Sequence, residues 1–335
     1  MTKRKYSGTW TALITPFKKD GHAQTMGGQS RGAQDGDATS REVQWQSSLD
    51  EAALRKLVQR QIENGVTGVV PCGTTGESPT TTHEEDARIF EIVVEEARKS
   101  AAVGCPKIMV MAGTGSNCTR DAVEYTKMAK KAGVDCCLVV SPYYNKPTPK
   151  GLKLHFKAIA DVGLPVIVYN IKGRTGINID TDTLMDIAAH PMVAGVKEAS
   201  GDLNQMKEVI GRREALEKDD REFAVLCGDD GLTLELVKMG GDGVISVASN
   251  LMPDKVAEMV EYALDGNFEE AGKLNERLAR LFKEIFVETN PIPVKYIASR
   301  MGLCELAYRL PMCEPGEKAV EVLEETMRSY GLVGD

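Results

Sequence analysis

The sequence has no long apolar run. Nothing in its 335 residues approaches the roughly 20 consecutive apolar positions of a membrane-spanning helix, so no membrane partner is expected. A basic excess is missing too. The 41 lysines and arginines stand against 49 acidic residues, for a formal net charge of −8. A nucleic-acid binder concentrates positive charge in a patch or stripe, so no nucleic-acid partner is expected either. The basic start, Met1 to Tyr6, is followed by no apolar signal region. The expected location is the cytoplasm, or a plastid if a plant or algal transit peptide has been removed.

None of the eight cysteines forms a C-x-x-C pair, and several sit in apolar, strand-like runs. They read as buried reduced thiols rather than a disulfide framework or a zinc site. The four histidines are scattered without H-E-x-x-H spacing, which leaves no metal site. No G-x-G-x-x-G follows a strand and opens a helix, and no G-x-x-x-x-G-K-[ST] occurs. The expected cofactor is therefore none.

What the chain does have is alternation. Its 42% hydrophobic content supports a sizeable core. After a first apolar run, Trp10 to Phe17, the stretch from Lys18 to Ser48 reads as loop. Residues 21–42 form a flexible insertion rich in Gly, Gln, Ser and Asp, favouring solvent, and Val43 and Trp45 could pin its end. Ser48 and Glu51 have capping-box spacing, as do Thr82 and Glu85. Short apolar runs end at Pro71, Ala112, Val140, Tyr169, Lys197, Cys227 and Val247, each followed by a helical pattern. About eight strand-then-helix units with continuous apolar strands predict parallel strands and right-handed crossovers. The expected fold class is α/β, a (β/α)8 TIM barrel over 1–265, with a C-terminal helical appendage over 266–335 packed on it.

In such a barrel chemistry collects at the C-terminal strand ends. Lys197 closes the run V-A-G-V-K. Lysine is almost never buried unpaired, and burial disfavours its ammonium, leaving an amine that can form a Schiff base. The same lysine could simply snorkel into solvent. The G-T-T-G turn at Gly73 exposes backbone N–H groups and the hydroxyls of Thr74 and Thr75 to a carboxylate, or is an ordinary capped turn. Tyr143 and Tyr144 lie in a proline-flanked loop that is either functional or a packing corner. Tyr169 ends a strand, where it can shuttle protons. Arg174 offers a bidentate fork to a carboxylate, or a surface salt bridge. Taken together, a lysine, tyrosines, hydroxyls and an arginine suit covalent catalysis on an oxo-acid.

Seven motifs spread along the chain carry a family resemblance: T-P-F at Thr15, G-T-T-G-E-S at Gly73, S-P-Y-Y-N-K-P at Ser141, R-T-G at Arg174, V-K-E-A-S-G-D at Val196, G-V-I-S-V-A-S-N at Gly243 and E-T-N-P-I-P-V-K at Glu288. The chain resembles the dihydrodipicolinate synthase and N-acetylneuraminate lyase family of class I aldolases. The resemblance implies a (β/α)8 barrel. The double threonine and the R-T-G arginine imply a lyase that condenses pyruvate with L-aspartate 4-semialdehyde, in the diaminopimelate route of lysine biosynthesis. It implies that Lys197 forms the Schiff base and that Thr75, Tyr144 and Tyr169 relay protons. Thr74 and Thr75 would hold the pyruvate carboxylate, and Arg174 that of the semialdehyde. Gly228 and Ile245 would supply backbone contacts. Tyr144 would come from a neighbouring subunit of a homotetramer built as a dimer of dimers. A site for lysine as inhibitor would use Ser78, His83, Asn117, Asp121 and Tyr143, with Asp86 where some members have a histidine. Two features depart from the family pattern: Lys172 in place of a proline, and the 21–42 insertion. The rival readings are another pyruvate-dependent aldolase of the family and a non-catalytic barrel that binds oxo-acids.

Overall fold

The computed structural model describes residues 3–19, 47–102, 108–217 and 221–333. The 21–42 insertion, with Val43 and Trp45, lies outside the described residues. Ten strands are described: β1 (Gly8–Ala12), β2 (Phe17–Lys19), β3 (Ser47–Leu49), β4 (Gly68–Val70), β5 (Met109–Gly113), β6 (Cys136–Val140), β7 (Val166–Asn170), β8 (Val193–Glu198), β9 (Ala224–Cys227) and β10 (Gly243–Ser246). Eight of them close a barrel in the order β1-β10-β9-β8-β7-β6-β5-β4, every pair parallel. β1 makes the closure, pairing Gly8 with Gly243 on one side and Trp10 with Gly68 on the other.

The strands read as unbroken apolar runs because both faces are covered. Inward-facing side chains, among them Trp10, Met111, Leu138, Ile167, Leu226 and Ile245, fill the barrel interior. The outward set packs under the helices in a second, larger core that takes in Leu54, Phe90, Phe156, Val196 and Leu236. Beyond residue 265 come the helices Phe268–Glu284, Ile292–Arg300 and Glu317–Tyr330, the expected C-terminal helical part.

Two local expectations need correction. Ser48 does not cap the first helix. It pairs with Lys18 in an antiparallel β2–β3 ladder, and Asp50 is the cap, accepting from the Ala53 N–H at 3.0 Å. An aspartate one residue from the helix outcompetes a serine already engaged in a strand. The Lys18–Ser48 stretch is consequently not loop throughout, since both ends are strand. The Thr82–Glu85 capping box forms in both directions, at 3.0 and 3.2 Å. Seven cysteines are described and all are free, but Cys313 is exposed and Cys118 and Cys304 only half-buried. Cys105 lies outside the described residues. No described helix is long and apolar enough to cross a membrane.

His155, on the helix Pro149–Ala160, is buried and its Nε2 has no hydrogen-bond partner among the described residues, while Nδ1 meets the Thr119 hydroxyl at 2.9 Å. Burial pushes its pKa down to about 4, against about 6.5 in an unfolded chain. The stability tied to a neutral ring is thus whole above pH ~6.5 and is lost as pH falls towards ~4, at a cost of about 3 kcal/mol. We expect His155→Gln to flatten the decline in melting temperature across this window. Thermal denaturation from pH 7 to pH 4 checks this; parallel declines in the two proteins would contradict it.

Candidate active site

Lys197 and Tyr169 are register partners on β8 and β7, at the C-terminal ends of both strands. Lys197 is 6% exposed, and its Nζ stands 4.2 Å from the centre of the Tyr169 ring. Among the described residues that Nζ has neither a hydrogen-bond partner nor a carboxylate within ion-pair reach. The strand alternation that turns Lys197 inwards turns Glu198 outwards. Glu198 is fully buried there, and burial raises its pKa. It accepts from the Ser200 N–H at 2.8 Å and from Asn170 and Gln205 at 3.2 Å, which locks the strand end that presents the lysine.

One cavity at the barrel mouth brings together Lys197, Tyr169, Thr74, Thr75, Arg174 and Gly228. Gly228 is there because nothing larger fits. A Cβ at this position would lie 2.5 Å from the Ala199 Cβ and 3.1 Å from the Lys197 Cε. Ile245 is packed in the barrel interior and is not among the lining residues; Val247, two positions on, is. Arg174 sits on a single helical turn, Lys172–Thr175. The Thr175 hydroxyl lies 2.9 and 3.0 Å from the carbonyls of Ile171 and Ile177, which holds the turn with a lysine, not a proline, at 172.

Three features of the site were not assigned from sequence, though all lie in motifs noted there or close by. Phe286 and Asn290 reach the cavity from the turn between helices Phe268–Glu284 and Ile292–Arg300, so the C-terminal region supplies part of the wall. The third is a second buried lysine. Lys295 is completely buried, and its Nζ pairs with the equally buried Glu77 of the G-T-T-G-E-S turn. Burial lowers the Lys295 pKa against the pull of Glu77. This lysine has a carboxylate partner; Lys197 has none.

A model of the dihydrodipicolinate synthetase family matches residues 38–329. The chain belongs to that family. It is 46% identical over 330 residues to the 4-hydroxy-tetrahydrodipicolinate synthase of Syntrophus aciditrophicus, covering 98% of this chain and all of the relative. Among solved structures it is similar to dihydrodipicolinate synthase from Aquifex aeolicus, with TM-score 0.83 and 39% identity over 98% of this chain and 99% of that one. The enzyme from Cyanidioschyzon merolae with lysine bound gives TM-score 0.83 and 37% identity over 99% of this chain and all of that one.

The family's tyrosine pair behaves differently from Tyr169. Tyr144 has φ +73 and is 89% exposed, and it does not reach the Lys197 cavity of its own chain. Tyr143 lines a second, adjoining cavity with Ser78, Asp86, Thr81 and Tyr125, and this cavity shares Cys72, Thr74 and Arg174 with the first. His83 stacks edge-on against Tyr125 at 4.8 Å. Asn117 and Asp121 are close in sequence but are not among the lining residues. The Asn117 carbonyl accepts from Asn145 at 2.8 Å, and Asp121 pairs with Arg120 at 3.1 Å. Asp86 is buried, which raises its pKa, and accepts from the Thr81 hydroxyl at 2.7 Å.

Gly228→Ala tests the close approach. The new methyl group displaces Lys197, and a reacting group misplaced by about 1 Å costs on the order of 100-fold in turnover. Steady-state kinetics and a melting curve read it. A soluble, folded variant with unchanged kcat/KM would show that the methyl group is absorbed elsewhere.

Proposed function

We propose that this chain is a 4-hydroxy-tetrahydrodipicolinate synthase, joining pyruvate to L-aspartate 4-semialdehyde through a Schiff base on Lys197. The observation that carries the reading is the unpaired Lys197 amine. It is buried at the barrel mouth in one cavity with hydroxyls, a tyrosine and an arginine. The amine adds to the pyruvate ketone and water leaves. The resulting imine withdraws electrons from the neighbouring methyl group, which gives up a proton to form an enamine. The enamine carbon attacks the aldehyde. The amine of the second substrate then attacks the imine carbon, closes the ring and frees Lys197.

Thr74 and Thr75, which line the Lys197 cavity, hold the pyruvate carboxylate, and Arg174 holds that of the semialdehyde. Thr75 and Tyr169 carry the protons that each step moves. In this reading Tyr144, exposed on its own chain, completes the relay in a neighbouring site. The assembly this implies is a homotetramer formed as a dimer of dimers. The imine itself serves as the electron sink, so this chemistry calls on no metal or organic cofactor.

Borohydride reduction in the presence of pyruvate tests the central step. We expect a reduced pyruvate adduct on Lys197, and Lys197→Ala to lose both the adduct and nearly all turnover while keeping its melting temperature. An unmodified Lys197 would end this reading. The adjoining cavity, with Ser78, Tyr143, Asp86 and the His83–Tyr125 stack, is proposed as a site for L-lysine acting as inhibitor. The lysine-bound relative supports it. Titration of L-lysine into a steady-state assay should lower the rate, and no inhibition at millimolar concentration would exclude the site.

A further inference from the structure

We propose that Asn290 is a positioning residue that sets the direction in which the Thr75 hydroxyl passes its proton; this rests on the Schiff-base reading above. Asn290 lies on the turn before the helix Ile292–Arg300, is 5% exposed, and lines the Lys197 cavity. Its Nδ2 donates to the Thr75 Oγ1 at 3.0 Å, and its backbone carbonyl accepts from the Arg174 Nη2 at 3.0 Å. The buried Oδ1 has no hydrogen-bond partner among the described residues, so Thr75 is the side-chain group the amide holds.

An amide N–H can only donate. At this contact the Thr75 oxygen must therefore accept, and its own hydrogen is turned away from Asn290. A hydroxyl in a relay has one proton to give and two lone pairs to receive with. With one lone pair taken by Asn290, Thr75 is left one proton to pass on and one lone pair to accept the next. The carbonyl contact adds a second constraint. The guanidinium assigned to one carboxylate and the threonine assigned to the other are bound to the same residue, so their spacing cannot change independently. Titratable groups around the position are Arg174 at its carbonyl, Lys197 and Tyr169 across the cavity, and the Glu77–Lys295 pair behind the turn.

Asn290→Asp keeps the shape and reverses the bond. An ionised carboxylate only accepts, so it draws the Thr75 proton towards itself. We expect the variant to form the reduced pyruvate adduct on Lys197 as the parent does, with the KM for pyruvate changed less than about threefold. Its kcat at pH 8 should fall by about tenfold or more, within the range ascribed to proton transfer. The ratio of variant to parent kcat should climb as pH falls towards 5, because a protonated aspartic acid donates again. Asn290→Ala should lower kcat without that recovery. The proposal is overturned by an Asn290→Asp kcat within about twofold of the parent at pH 8, or by a pH-independent ratio. It is also overturned if the variant fails to form the adduct, since the residue would then serve binding rather than proton transfer. A parent enzyme that forms no adduct is a different failure, that of the Schiff-base reading itself.

Discussion

The ion pair between Lys295 and Glu77 is the constraint on which the site's geometry rests. Both side chains are wholly withdrawn from solvent. Removing one partner would strand a charge in the interior, at a cost of about 3–5 kcal/mol. Glu77 holds a left-handed backbone, φ +54, two residues beyond Thr75, so the pair pins the turn that carries Thr74 and Thr75. The Arg309 N–H bonds the other Glu77 oxygen at 3.2 Å, and its guanidinium reaches Glu85 and the Thr80 carbonyl at 2.6 and 2.9 Å. Lys295 and Arg309 also stand 4.2 and 4.1 Å from the ring of Phe17. The barrel supplies the frame, but the part beyond residue 265 clamps the turn within it.

The two buried lysines show what burial does and does not say about chemistry. Lys295 is the more deeply buried, yet its Nζ is committed to a carboxylate and two aromatic rings. Lys197 is slightly more open and faces only the Tyr169 ring. An amine becomes a nucleophile when nothing nearby compensates its charge and a substrate can reach it. Lys295 meets neither condition, whereas Lys197 has no carboxylate within ion-pair reach among the described residues and lines the cavity at the barrel mouth.

Much of the barrel was legible because each strand is buried on both faces and each helix carries its own periodicity and stop signal. Such patterns are local. The Thr82–Glu85 box was readable for the same reason, since it involves one turn of chain. The Ser48 cap was misread because the outcome depended on a partner strand far back in sequence, and three-residue strands leave almost no alternation to detect. Lys197, Tyr169, Thr74, Thr75 and Arg174 could be picked out because a barrel gathers its strand ends at one mouth. Asn290 could not. It belongs to no strand, and its role follows only from where the C-terminal helices place it. Ile245 shows the opposite limit: its strand was identified, but the residue that lines the cavity, Val247, lies just past the strand's end.

The antiparallel pairing of Phe17–Lys19 with Ser47–Leu49 has a consequence for how this chain can change. The two strands stand one strand spacing apart, about 4.8 Å, with Lys19 opposite Ser47. Arg309 grips both strands, its guanidinium 4.1 Å from the Phe17 ring and its Nε donating to the Ser47 hydroxyl at 3.3 Å. Arg309 is therefore a position where change is costly, because one substitution loosens both strands and the contacts to Thr80 and Glu85 together.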